Sequence, residues 1–411
     1  MENNILLPDS LAFLLEELRL SGLPKSIAER PEFLSSLILG TENNDSLTGT
    51  ENRDYIFGLD GSDTIEGLAG DDFLFSRAGD STISGGDGRD RIYARSGRDT
   101  LIGGAGDDRF RDVSGGNEID GGEGRDTLNY RNVENAIGFE FNVAEESTFG
   151  NVDSGLQIVQ AGLEPDKVSN IERIIAPEGK ANFLDFQDNF PAQRFGPPPV
   201  FVPINVNLAE NSLRFESNFA SISREPITIE NFVDVVGSLG DDTLIGNDAA
   251  NRLEGGAGRN RLEGGGGDDL LGVLEGDTLT GGSGSDTFRL QAASKGVGSF
   301  PGPFPPNIGD FQANTILDFQ ANLDKLQLSS MGQTIDGLVS IGYGGFTELP
   351  LGELDPDLFR LVGSDTTPGV AHIAYDVGTG DLFYTRSDAS STKVATLQGS
   401  PSLNASDIFV V

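Results

Sequence analysis

The sequence predicts an all-β fold built by repetition, and three observations predict it. The chain has 56 glycines in 411 residues, only 36% hydrophobic residues and no tryptophan. That composition suits many tight turns around a lean core. The stretch GGDGRDRIYARSGRDTLIGGAGDDRF, from Gly85 to Phe110, places Asp90, Asp99 and Asp108 nine residues apart, each followed two residues later by Ile92, Leu101 or Phe110. Finally, 65 acids face 28 bases, a net charge of −37, yet the acids stand in register with one another.

With Gly40 as position one, ten nine-residue units run to Asn129. Position six holds Asp45, Asp54, Asp63, Asp72, Ser81, Asp90, Asp99, Asp108, Asn117 and Asp126, and position eight is apolar throughout, from Leu47 to Leu128. Six more units start at Gly237, one of them a residue short. There position six is Asp242, Asn251, Asn260, Asp269, Asp277 and Asp286, and position eight runs from Leu244 to Phe288. Internal repeats of this kind outrank any local secondary-structure signal.

These units resemble the repeats-in-toxin (RTX) family, whose unit is G-G-x-G-x-D-x-U-x with U a large apolar residue. The resemblance implies a right-handed parallel β-roll, in which two units make one turn and each supplies a six-residue loop and a three-residue strand. Elementary geometry agrees. Along a strand the side chains alternate, so position eight points inward while seven and nine point outward. Glycines at positions one, two and four permit positive φ and tight bends.

Each loop aspartate then lies above the one two units earlier, and stacked carboxylates repel unless a cation lies between them. Oxygen donors from two carboxylates and loop carbonyls suit calcium rather than zinc. The expected calcium ligands are Asp45, Asp54, Asp63, Asp72, Asp90, Asp99, Asp108, Asp126, Asp242, Asp269, Asp277 and Asp286, in loops that include Gly85, Gly103, Gly121, Gly264 and Gly281. The edge Asp54–Asp72–Asp90–Asp108–Asp126 is unbroken and is expected to fill well. The opposite edge has Ser81 and Asn117 and is expected to fill patchily, and Asp269 with Asp286 is the best later pair. The alternative is a metal-free solenoid whose aspartates only form turns.

Positions seven and nine of the complete edge carry Tyr55, Phe57, Phe73, Phe75, Arg91, Tyr93, Arg109 and Arg111. Aromatics this dense are either a docking face for a glycan or partner, or a face covered by the rest of the chain. The opposite face carries a short column of Thr64, Thr82 and Thr100, comfortable on strands.

Five segments follow. Residues 1–39 are expected to form a helical cap, with Leu11, Leu14, Leu15 and Leu18 on one stripe of a helical stretch over 9–38. Residues 40–129 are the first block, 130–236 two diverged solenoid inserts joined by the proline-rich FGPPPVFVP, and 237–289 the second block. Pro177 to Asp185 fits one degenerate unit, with Asn182 at six and Leu184 at eight. Residues 290–411 are expected to be a β-rich module, with a hairpin turning at Gly378 to Gly380. That module resembles the C-terminal part of serralysin-like RTX proteins, and the ending NASDIFVV resembles the signal of type 1 secretion substrates.

The N-terminus has no basic start and Glu16 and Glu17 interrupt its apolar run, so no Sec signal peptide is expected there. No stretch is apolar enough to span a bilayer. The negative charge argues against nucleic acid and anionic membrane as partners, and the absence of cysteine excludes disulfides and thiolate metal sites. His372 is the single histidine, so an H-E-x-x-H metal site is impossible, and no G-x-S-x-G motif occurs. No catalytic residue is nominated. The expected protein is a secreted, extracellular calcium-binding one that folds on binding several ions and has a structural, surface or matrix role. Type 1 secretion machinery and a glycan or cell-surface ligand are its expected partners. The rival is a carbohydrate-active enzyme or polysaccharide-binding accessory protein using residues 130–236 and the aromatic face.

Overall fold

A computed structural model of the chain describes residues 33, 35–111, 115–133, 136–143, 154–160, 163–186, 203–216, 226–238, 240–274, 276–291, 312–329, 346, 348–362 and 369–411. The chain divides into two compact units, Met1–Ile137 with Gly155–Lys180, and Gly138–Ser154 with Ala181–Val411.

The first unit is a β-roll made of two parallel stacks. One stack runs through Leu37–Leu39, Tyr55–Asp60, Phe73–Ala78, Arg91–Ala94, Arg109–Arg111, Thr127–Asn129 and Arg173–Ile175. The other runs through Ser46–Thr48, Thr64–Ala69, Thr82–Asp87, Thr100–Ala105, Glu118–Glu123 and Asp166–Ser169. Partners within the blocks are two units apart in sequence, as in Ile83 with Leu101. That offset means one turn per pair of units.

Position eight supplies the core. Ile56, Ile65, Leu74, Ile83, Ile92, Leu101, Phe110 and Leu128 are completely buried. Burial of such a side chain contributes about 1.5–3 kcal/mol. Several strands are longer than the expected three residues. Thr82–Asp87 pairs on through Gly86 with Gly104, so the glycine loop continues the ladder before it turns.

The ladder does not stop where the strict repeat stops. After the first insert the chain returns so that Val168 pairs with Ile119 and Ile174 with Leu128. Both are buried at the places that position eight occupies elsewhere.

The second unit repeats the design. One stack orders Ile204–Asn207, Thr243–Ile245, Arg261–Gly266, Thr278–Ser283, Asn314–Ile316 and Ser391–Leu397. The other orders Phe183–Asp185, Asp234–Val236, Arg252–Glu254, Leu270–Val273, Thr287–Gln291, Lys325–Ser329 and Ile408–Val410. Leu184 is buried in register with Val235, as the degenerate unit requires. Past Leu290 the chain keeps stacking, with Ile316 beside Leu279 and Leu326 beside Phe288. The hairpin of His372–Asp376 and Asp381–Thr385 is antiparallel and turns where the glycines predict.

The N-terminal helix expected over 9–38 falls almost wholly outside the described residues. Its last part is corrected: Leu37–Leu39 is a strand beside Tyr55–Phe57. These residues stand one full turn before Tyr55, so the roll claims them as its first rung.

Candidate metal sites in the aspartate stacks

Each position-six carboxylate has two tasks, one per oxygen. Its Oδ1 accepts the backbone N–H of the position-six residue one turn earlier. On the complete edge the N–H of Asp54 donates to Asp72, Asp72 to Asp90, Asp90 to Asp108 and Asp108 to Asp126, at 2.7–2.8 Å. On the other edge the N–H of Asp45 donates to Asp63 Oδ1 and that of Ser81 to Asp99 Oδ1, while Ser81 Oγ and Asn117 Oδ1 accept in the places of missing acids. In the second unit Asp269 donates to Asp286 and Asn260 to Asp277.

The second oxygen is the orphan. Oδ2 of Asp63, Asp72, Asp90, Asp99, Asp108, Asp126, Asp269, Asp277 and Asp286 is buried and has no hydrogen-bond partner. A buried charged oxygen left unmade is costly, so these atoms call for a cation. Burial first, and then neighbouring carboxylates, push Asp72, Asp108 and Asp269 up to about 7. Burial likewise raises Asp90, Asp99, Asp126 and Asp286 to about 6, against the hydrogen bond that each accepts from a backbone N–H.

Three nominated ligands differ. Asp45 Oδ2 accepts from the N–H and hydroxyl of Thr41, and Asp54 Oδ2 from those of Thr50, at 2.6 and 2.9 Å. Asp242 is held by the N–H and hydroxyl of Ser238 and by the N–H of Ile204. In each loop a hydroxyl residue stands at position two where the unit has glycine, and it satisfies the carboxylate from within. These three are loop caps at the start of their blocks.

The edges differ in their partnerless oxygens, and Asp54 drops out of the edge expected to be unbroken. Asp72, Asp90, Asp108 and Asp126 are four consecutive rungs with free oxygens. Asp63 and Asp99 are separated by Ser81, whose hydroxyl bonds Ser76 at 2.8 Å. Asp269 and Asp286 are adjacent, whereas Asp277 lies between Asn260 and Asn314.

The position-one glycines serve the carboxylate directly, and here the expectation of positive φ is corrected. Gly86 and Gly88 have φ of 104° and 137°, but Gly85 is not in that region. A Cβ on Gly85 would overlap the Asp90 carboxylate and the Gly103 carbonyl oxygen; Gly103 stands in the same relation to Asp108 and Gly121. Gly121, Gly264 and Gly281 crowd Asp126, Asp269 and Asp286 likewise. These glycines make space rather than turns. Among the described residues no three acids or histidines gather at one point. An ion here takes its oxygens from pairs of carboxylates and from the carbonyls that line the loops, which suits a hard cation of flexible coordination.

The sequence pattern passed over several members of the stacks. Asp166 accepts from the N–H and side-chain amide of Asn117 and from the Tyr130 hydroxyl at 2.7 Å, all buried. Glu172 accepts from the N–H of Asp126. Asp324 accepts from Asp286 and from Gln320, and Asp318 accepts from the N–H groups of Gly281 and Gly282. Asp166 and Asp324 do keep the D-x-U spacing, to Val168 and Leu326, without the glycines before it.

The aromatic face is covered. Phe57 and Phe75 are 0% exposed and Phe73 3%, and Phe33 packs edge-on against Tyr55 at 4.7 Å. The glycan-docking alternative loses these rings, because outward on a strand is not the same as facing water. His372 is buried and its Nδ1 lies 3.1 Å from the Val370 carbonyl oxygen.

Four segments, residues 39–74, 75–110, 236–271 and 272–291, match the RTX calcium-binding nonapeptide repeat. No curated protein matches the chain. Among solved structures it is similar to the AlgE6R3 subunit of the Azotobacter vinelandii mannuronan C5-epimerase, at 23% identity over 42% of this chain and 80% of that one, with a TM-score of 0.25. The AlgE6R2 subunit of the same epimerase gives 24% identity over 40% and 91%, with a TM-score of 0.21. The extracellular lipase LipA of Serratia marcescens gives 16% identity over 91% of this chain and 40% of that one, also at 0.21. The four matched segments of this chain are RTX calcium-binding nonapeptide repeats, of the kind that binds calcium ions.

Proposed function

We propose that this is a secreted calcium-binding protein whose rolls assemble when calcium is met outside the cell, with a structural role at a surface or in a matrix. The observation that carries the reading is the set of nine buried carboxylate oxygens without partners. In calcium-poor surroundings these stacks repel and hold the chain open; a divalent ion between successive rungs removes that repulsion. Binding energy then becomes folding energy. Extracellular sites need affinities of only about 10⁻⁴–10⁻³ M, and several weak sites on one cooperative roll add up.

Asp72, Asp90, Asp108 and Asp126 hold ions on the complete edge, and Asp269 with Asp286 in the second unit. Asp63, Asp99 and Asp277 offer single carboxylates. Gly85, Gly103, Gly121, Gly264 and Gly281 keep room for the ions. Export through type 1 secretion machinery, which threads unfolded substrates, accords with a chain that folds only at its destination.

Far-UV circular dichroism during a calcium titration from chelator to about 10 mM, with magnesium as control, tests this. A cooperative, calcium-specific gain of β signal is expected. A spectrum already β-rich in chelator and indifferent to calcium overturns it.

A further inference from the structure

The logic that assigns a cation to the aspartates assigns an anion to a second set of registered charges. On the outer side of the complete edge Arg91 lies directly beside Arg109 on the next rung. Arg109 is followed by Thr127 and then Arg173. Like charges on facing positions of neighbouring strands destabilise a sheet, and strands lie about 4.8 Å apart. A chain with 28 bases against 65 acids had every opportunity to place an acid between them.

Position five adds a flanking row of Arg53, Asp71, Arg89, Asp107 and Arg125, one turn apart each. Asp71 is shared by Arg53 and Arg89, at 2.8 and 2.9 Å. Among the described residues Arg91, Arg109 and Arg125 have no ion-pair partner, and all three are exposed. Arg53, Arg89, Arg91 and Arg109 line a groove of about 240 Å³ together with Tyr55, and Arg109, Arg125 and Arg173 line a second of the same size. Of the acids lining these grooves, Asp72, Asp90 and Asp126 keep their partnerless oxygens buried, Asp71 is paired with Arg53 and Arg89, and Asp107 and Glu172 remain.

We propose that this arginine row binds a linear acidic polysaccharide carrying one carboxylate per sugar. Three features select that occupant. Guanidinium groups pair with planar carboxylates through two parallel hydrogen bonds. An extended glycan advances by roughly one ring per rung of about 4.8 Å, so its carboxylates recur where the arginines do. A denser polyanion is disfavoured, since duplex DNA carries a charge about every 1.7 Å and meets a protein of net charge −37. The site needs the roll folded and so rests on the calcium reading.

The test is calorimetric titration of tetragalacturonate into the full chain at 2 mM calcium and low salt. Injection into calcium buffer is the blank, and circular dichroism is taken on the same sample. Binding is expected that weakens as salt rises, with no binding of a neutral tetraglucoside. Arg91→Ser and Arg109→Ser are each expected to weaken it about tenfold, and Arg214→Ser, exposed in the other unit, to leave it unchanged. A folded wild type that binds no tetragalacturonate overturns the inference. So does equal binding of the neutral sugar, tighter binding of a polyphosphate of equal charge, or indifference to both substitutions. If the β signal itself never forms in calcium, the calcium reading has failed instead. Should either serine variant lose its β signal, Arg→Lys at the same position keeps the charge, and a several-fold loss is expected from the missing fork.

Discussion

The backbone N–H of Asp90 donates to Oδ1 of Asp108 at 2.7 Å, while Oδ2 of the same carboxylate is buried without a partner. One side chain thus holds two rungs together and keeps an oxygen for an ion. Asp108→Asn separates the tasks, because an amide oxygen still accepts. Native Asn260 shows the outcome, with Oδ1 accepting from the N–H of Asp242 one turn earlier at 2.9 Å and Nδ2 donating to the Ala257 carbonyl at 3.3 Å. The variant is expected to bind fewer calcium ions by calorimetry and to need more calcium to fold, yet to melt at a higher temperature in chelator than the parent.

The raised carboxyls fix the pH dependence. Their folded values near 6 and 7 lie above the unfolded value of about 3.9, so the folded state binds more protons between these limits. That contribution to stability is complete below about 4 and is lost as pH rises through 6–7. Protein stripped of calcium is therefore expected to gain β signal and melting temperature when taken from pH 8 to 5. In calcium the direction reverses, because protons compete for the same oxygens, and the titration midpoint moves to higher calcium below pH 6.

Leu68 holds φ at 78°, at a position where the other well-formed loops have glycine, and its side chain is 42% exposed. A left-handed conformation costs a non-glycine residue about 1–2 kcal/mol. Leu68→Gly is expected to raise stability by about 1 kcal/mol in calcium, read from thermal melts. Leu59, with φ of 76° but only 4% exposed, gains nothing from the same change because its burial is lost.

Leu101 and Ile102 are neighbours on one strand with opposite fates, 0% and 38% exposed. Leu101→Ala removes one layer of the inner ladder and is expected to cost about 2–5 kcal/mol. Ile102→Ala is expected to stay within about 0.5 kcal/mol. Denaturant melts of the calcium-bound variants distinguish them.

The rung-to-rung register was legible because a single requirement repeats without exception: an apolar residue at position eight, as in Ile92 and Leu101, two residues after an oxygen acceptor. What escaped the pattern lies where local chemistry replaces a glycine. Thr41, Thr50 and Ser238 are visible in the sequence, but only geometry shows their hydroxyls bonded to Asp45, Asp54 and Asp242. Asp166 and Asp324 were hidden because their loops lack glycines and long detours precede them. Strand alternation gave the direction of Phe57 and Phe75 and could not say what covers them.

The bond from Asn117 to Asp166 spans 49 residues, whereas its counterparts within the repeat span 18. The ladder asks only that an acceptor come back to the right height; it is indifferent to the route taken meanwhile. Each such return is a splice point, at which a foreign sequence of any length can be carried as cargo without disturbing the rungs on either side.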